Sequence, residues 1–336
     1  MKNRLGKLKH LNCHWASVPA LSLCLLLAIV GTASGVDGKP GGYSRAGYVF
    51  PPDVKQNGIS FAGIKIPTDR AEVSERIVDQ INFLLMDRRA VLMEWLDRMA
   101  VSGPIIRRVL ASQDAPEDLL YLAALVSDLL PNATTRSGGV GWWALGTVKH
   151  KSNPSNSWLS TNEWDDRRDP VISTEIAAKI LKDLARGKKG DWLMAIAAFL
   201  EGPEPIETLS RQAEGFSYWA IAMPPYSDVA IPRLIALKLI DTHRDFYAVD
   251  VPPLAPLAYD YFHQLKLTKD LPLHVVAKWC GTNPRAIWEL NPGVDPSAGL
   301  LPKTDKRNPS GYPLRVPKGT AGKVRSLLVQ EGYLER

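Results

Sequence analysis

Residues 115–133 read Ala-Pro-Glu-Asp-Leu-Leu-Tyr-Leu-Ala-Ala-Leu-Val-Ser-Asp-Leu-Leu-Pro-Asn-Ala, and the fold turns on this stretch. Pro116 sits near a first turn with Glu117 and Asp118 beside it. A helix N-terminus favours both, because its N–H groups lack partners and carry the positive end of the dipole. Leu119, Leu122, Leu125 and Val126 continue the run, and Pro131 ends it. The strongly apolar run Asp191–Leu200 is expected as a helix buried at the centre of the domain.

Upstream, Val73, Ile77, Ile81, Leu84 and Leu85 share one face, and Val91, Leu92, Trp95, Leu96 and Met99 share another. Ser102-Gly103-Pro104 punctuates this pattern before Ile105, Ile106, Val109 and Leu110 resume. Two longer helices and a short third are therefore expected in a helical region over 71–112. Residues 36–70, rich in Gly, Pro and Tyr, read as an extended linker with a short strand near Ile59–Ile66.

Downstream, a Gly/Ser/Trp loop leads to a polar stretch holding Trp158 and Trp164. Helices are expected over Thr174–Leu184, with Ser173 as N-cap, over Asp191–Leu200 and over Ile231–Ile240. Pro252, Pro253 and Pro256 mark a linker. Beyond it, Tyr259–Leu267 reads as a strand, Leu273–Cys280 and Pro284–Leu290 as short helices, and Tyr312–Val316 as a closing strand. This β-α-α-β order implies a small α+β module over 257–320.

The chain has 336 residues, 45% hydrophobic and 23% charged, a globular composition. Its formal charge of +6 comes from 41 basic and 35 acidic residues. Four of the bases, Lys2, Arg4, Lys7 and Lys9, precede the apolar run Ala20–Val30 and the small residues Gly31–Gly35. That arrangement suits a signal peptide over 1–35, or an uncleaved anchor, although the run falls short of the ~20 residues of a membrane span. Without those four bases the charges nearly balance, so a nucleic-acid partner is not expected. Loss of the segment would remove Cys13 and Cys24 and leave only Cys280. None of the six histidines forms a close metal-ligand pair, so no metal or other cofactor is expected.

The motifs occur in an order that resembles the lytic transglycosylase family of the soluble-transglycosylase (SLT) type. The opening stretch 115–133, Gly141-Trp142-Trp143, Asp166-Arg167-Arg168-Asp169-Pro170 with Ser173 and Thr174, Gly190-Asp191-Trp192-Leu193, Tyr218-Trp219 and Ile231-Pro232-Arg233 carry the likeness. It extends to the helices before the domain and, through Leu290-Asn291-Pro292 and Leu314-Arg315-Val316-Pro317, to a diverged LysM-like tail. The fold implied is mainly α: a lysozyme-like domain over 113–247 with a LysM-like C-terminal module.

The resemblance also implies a chemistry. Members cleave the MurNAc–GlcNAc bond of peptidoglycan with one Glu, which protonates the glycosidic oxygen and then assists attack by the sugar's own 6-hydroxyl. Such an acid needs apolar surroundings that keep it protonated near neutrality. A second carboxylate is unnecessary, unlike in most glycosidases. The family's Glu position is Val126 here, followed by Ser127. Ala144 replaces the Gln of the Trp loop, Phe199 and Leu200 replace the Tyr and Asn of Ala-Tyr-Asn-x-Gly, and Tyr226–Ala230 replaces Glu-Thr-x-x-Tyr.

Asp128 and Glu201 are the candidate relocated acids. Asp128, two positions past Val126, should point away from the groove unless the helix ends early. Ser127, Trp143, Trp158, Trp164 and Tyr218 are the candidate glycan contacts. Asp118 is expected to serve as a helix-start charge, and Arg167, Arg168 and Asp169 to fix their loop. The leading expectation is an exported, inactive peptidoglycan-binding or scaffolding protein of the periplasm or cell envelope. An active lyase with a relocated acid and a protein–protein adaptor are the alternatives.

Overall fold

A computed structural model describes residues 43–44, 47–146, 158–213 and 216–334. The expected signal segment, with Cys13 and Cys24, and the histidines His10, His14 and His150 lie outside the described residues. The described residues belong to one unit, Pro40–Arg336.

The chain begins with a minimal antiparallel pair, β1 (Tyr43–Ser44) and β2 (Gly47–Tyr48), followed by α1 (Pro52–Asn57). A hairpin of β3 (Ile59–Phe61) and β4 (Ile64–Ile66) comes next. Phe61 and Ile66 lie in the main core, so this part of the expected linker is folded structure. Its apolar residues are few but concentrated on the hairpin's buried face.

α2 (Ala71–Asn82) passes through a π-helical turn at Phe83–Asp87 into α3 (Arg89–Ser112). Ser102-Gly103-Pro104 does not end this helix as expected. Pro104 removes one backbone bond, but Gly103 and the flanking Ile105 and Ile106 are buried against the core, so packing carries the helix through. A Cβ on Gly103 would meet Leu120 Cδ2 at 3.1 Å, which shows how closely α3 approaches the next helix. That helix, α4 (Leu119–Ser127), packs against α3 and is almost wholly buried, as its composition requires.

α5 (Pro170–Arg186) starts earlier than expected. Asp169, not Ser173, is its N-cap, and its side chain accepts from Val171 N and Ile172 N. Ser173 is buried within the first turn and donates to Asp169 O. α6 (Trp192–Glu201) is capped by Asp191 and runs through the centre of the domain, with Leu193 to Ala198 buried. α7 (Pro203–Gln212), absent from the sequence reading, follows directly after Gly202. α8 (Pro225–Thr242) packs against α2, α4 and α6 and continues through Pro232.

The C-terminal module pairs β5 (Tyr259–Leu265) antiparallel with a later strand, β8 (Tyr312–Pro317). Between them lie β6 (Leu271–Pro272), α9 (Leu273–Cys280), α10 (Pro284–Leu290) and β7 (Leu300–Leu301). α11 (Ala321–Gln330), beyond the expected boundary at 320, closes the module by burying Val324 and Leu328. This second core also takes in Trp164 from the helical domain.

Candidate functional site

The chemistry implied by the resemblance belongs at the end of α4. Val126 is half-buried there and packs against the main core. Ser127 is buried, its Oγ 2.9 Å from Ala123 O and 2.6 Å from Trp142 O. Its single proton is shared between these carbonyls, so the hydroxyl ties α4 to the Trp loop. The helix then ends early, because Asp128 and Leu129 both take left-handed backbone conformations. Trp95 Nε1 of α3 donates to Asp128 Oδ1 at 2.7 Å, and Arg98 Nη1 donates to Asp128 O at 2.9 Å. The Asp128 carboxylate thus fastens the helix end to α3. Asp118, at the other end of α4, accepts from Ala62 N at 2.7 Å and from Lys238 Nζ at 2.8 Å, joining the hairpin to α8.

Phe199 and Leu200 are half-buried against the same core. Glu201 is half-buried and not the solvated loop acid that its Gly/Pro surroundings suggest. Its Oε1 accepts from Ser227 N at 2.7 Å, which places a carboxylate on an open N–H at the start of α8. Ser227 O in turn accepts from the Tyr218 hydroxyl at 2.9 Å. Tyr218 has no exposed surface, and burial pushes its phenol well above the ordinary value. Arg76 of α2 completes the cluster. Its Nη2 donates to Asp228 Oδ1 at 2.6 Å, and its guanidinium lies 5.2 Å from the Trp219 ring. Arg76 and Asp228 are 152 positions apart, so no local pattern in the sequence could have joined them.

The loop 158–169 carries the polar motif Asp166-Arg167-Arg168-Asp169. Asp165 grips Arg167 through both carboxylate oxygens, at 2.9 and 2.8 Å. Arg168 Nη1 donates to Asn132 Oδ1 at 2.9 Å. Asp166 accepts from Leu159 N and Trp164 Nε1, both at 2.6 Å, and burial raises its carboxyl above the usual range. A Cβ on Gly141, whose φ is +74°, would fall 1.8 Å from Arg167 O, so only glycine lets the Trp loop lie against this segment.

Three of the aromatic residues expected to meet sugar do not offer a face to solvent. Trp143 is fully buried, with Nε1 donating to Thr174 Oγ1. Tyr218 is buried as described. Trp164 crosses into the C-terminal module, where it packs edge-on to Tyr312 at 5.5 Å. Backbone pairing reinforces that crossing: Asp165 N donates to Gly293 O, and Asp295 N donates to Glu163 O, both at 2.8 Å. Trp158 alone of the candidate rings remains half-exposed, with the Arg167 guanidinium 5.6 Å from its centre.

The junction also contains a buried ion pair. Arg315 of β8 donates to both Asp169 oxygens, at 2.5 and 3.1 Å, while Asp169 still caps α5. Burial opposes the Arg315 charge, but the Asp169 carboxylate more than offsets this and holds the guanidinium above its ordinary value. Among the described residues no group of three His, Cys, Asp or Glu side chains could hold a metal ion.

Comparison with known proteins places this geometry. Residues 104–222 match the family described as Transglycosylase SLT domain. The chain is 28% identical over 157 residues to "Membrane-bound lytic murein transglycosylase D" of Escherichia coli strain K12. The protein of the same name from Escherichia coli O6:H1 strain CFT073 matches equally. The alignment covers 45% of this chain but only 33% of each relative, so it spans about a third of their length. Residues 104–222 form a lytic-transglycosylase-type domain with a lysozyme-like fold.

Proposed function

We propose that this is a cell-envelope protein that binds peptidoglycan, or scaffolds an assembly on it, through a transglycosylase-like domain that does not cut glycan. The observation that carries the reading is Val126 at the end of α4, where the resemblance calls for the catalytic Glu. An apolar setting that would raise a carboxyl pKa persists there, but the carboxyl is gone. The two candidate relocated acids already have internal partners: Asp128 holds Trp95, and Glu201 holds the start of α8.

Glycan binding has two supports. Trp158 retains a half-exposed ring next to the Trp loop. The C-terminal module, LysM-like by its β-α-α-β order, carries an apolar groove of about 600 Å³ that includes Leu273, Pro284 and Trp288. Trp288 Nε1 is satisfied by Val294 O at 2.9 Å, which leaves the ring's apolar surface for stacking. Export to the periplasm would follow from the leader-like residues 1–35. Among the described residues no helix is long and apolar enough to cross a membrane.

The test incubates the purified chain with isolated sacculi, assays released 1,6-anhydro-MurNAc products by mass spectrometry, and measures protein in the pellet. The expected result is no anhydro product and protein in the pellet. Anhydro products above a protein-free control would establish the active-lyase reading and direct mutagenesis to Asp128 and Glu201. Neither product nor pelleting would point to the adaptor reading and to a search for protein partners.

A further inference from the structure

β5 has one partner strand and one open edge. Among the described residues its sheet contains only β5 and β8. Tyr261 stands opposite Arg315. The Arg315 backbone N–H and C=O both bond to the Asn291 side chain, at 2.7 Å each. In an antiparallel ladder a residue's N–H and C=O point to the same side. Arg315 therefore turns away from β5, the Tyr261–Arg315 pair is not hydrogen-bonded, and Tyr261 directs its own N–H and C=O to the outer edge. By alternation Tyr259 does the same. A register shift between Phe262 and Leu265 interrupts the ladder beyond Phe262. The outer edge of β5 thus presents the unpaired backbone donors and acceptors of Tyr259 and Tyr261.

The usual protections of such an edge are weak here. The strand Tyr-Asp-Tyr-Phe-His-Gln-Leu holds one acid, no lysine and no proline. Clefts flank it on both sides: one of about 260 Å³ toward α5, the other of about 1020 Å³ toward α11. The two share Tyr261, His263 and Gln264. Their charges differ in sign. Glu175 lines the first, while Lys266 and Arg325 line the second.

We propose that β5 is a docking edge for an extended peptide segment of a partner protein, which adds as a third strand. The side chains of an added strand alternate between its two faces. The charges select a segment with a basic residue on the α5 side, against Glu175, and an acidic residue on the α11 side, against Lys266 and Arg325. This mode needs no glycan contact and stands independently of the function proposed above.

The test uses the full chain and a fluorescein-labelled, end-blocked peptide, Thr-Lys-Glu-Lys-Glu-Lys-Thr, with lysines on one face and glutamates on the other. Fluorescence anisotropy is expected to show saturable binding. N-methylation of alternate peptide amides should weaken it by about tenfold or more by removing backbone donors. Glu175→Lys, which leaves the strand intact, should weaken binding of this peptide by about tenfold and improve binding of the peptide with Lys and Glu exchanged. Tyr259→Pro, at the first strand position, should remove an outward donor and reduce binding of both. The proposal is overturned by equal binding of the N-methylated peptide, by an unchanged preference in Glu175→Lys, or by no saturable binding up to about 1 mM. It is also overturned if sedimentation shows a dimer that Tyr259→Pro dissolves, since a second copy would then occupy the edge.

Discussion

At the end of α4 the site positions are apolar, and the nearby polar groups are turned toward internal partners; at the junction with the C-terminal module, by contrast, a full polar motif is present and every charge has a structural task. Val126, Phe199 and Leu200 pack on the core, and Ser127, Asp128 and Glu201 hydrogen-bond to groups elsewhere in the same domain. Across the molecule, Asp169 caps α5 and pairs with Arg315, while Asp166 holds both Leu159 and Trp164. The contrast shows that likeness to a family has two sources. Residues that hold the scaffold carry several bonds each, so replacement would leave buried groups unpaired. Residues that act only on a ligand carry no such obligation to the fold.

The most severe way to break the junction is Arg315→Ala. It leaves the fully buried Asp169 without its counter-charge, and the expected loss is about 3–5 kcal/mol, measured by urea unfolding. Adding Asp169→Asn, which keeps an acceptor for the α5 cap, should recover part of that loss; no recovery would mean that lost packing, not an unpaired charge, dominates. Gly293→Ala comes next. Its Cβ would sit 2.6 Å from Trp164 Cη2, so the ring or the loop must shift, at a cost of about 1–3 kcal/mol. Trp fluorescence should change with it, and an unaltered stability would show that the junction is loosely packed.

Glu201→Ala sharpens the other side of the comparison. If Glu201 is a cap on α8, the variant loses about 1 kcal/mol of stability and pellets with sacculi as the parent does. A loss of glycan-directed activity at unchanged stability would instead make it a functional acid. The smallest effect is expected at Asp191, whose Oδ1 caps α6 by accepting from Leu193 N and Met194 N. Burial raises this carboxyl pKa. A raised pKa means the folded state holds its proton longer than the unfolded chain, so this group's stabilisation is present at low pH and is lost as pH rises through the raised value. Asp191→Asn keeps the acceptor but cannot titrate. The variant should therefore gain a few tenths of a kcal/mol on the parent as pH rises from about 4 to 7; the opposite trend would refute the burial effect.

Much of the scaffold was legible in local sequence. The apolar spacing from Leu119 to Val126 specifies a helix, the wholly apolar run after Asp191 a buried one, and the strand and helix order after Pro256 the small module. Reading failed where packing overrode local signals. Pro104 did not stop α3, because buried Gly103 and Ile106 hold it against the core. The Gly- and Pro-rich stretch before Thr68 folded into a hairpin because Phe61 and Ile66 found a core to enter. Asp169 displaced Ser173 as the cap of α5, which allowed it to meet Arg315 as well.

The sequence by itself determined which positions can hold an ionisable proton. A valine has no ionisable proton whatever surrounds it, and that conclusion at Val126 requires no coordinates. Only the tertiary structure decided what the remaining polar residues and aromatics do. Asp128 meets Trp95, Glu201 meets Ser227, Trp164 enters the second core, and the outer edge of β5 stays open. Each depends on partners brought from distant positions by packing or on the way a backbone faces in its ladder. Local composition does not encode either, because a side chain's task is set by its neighbours in space.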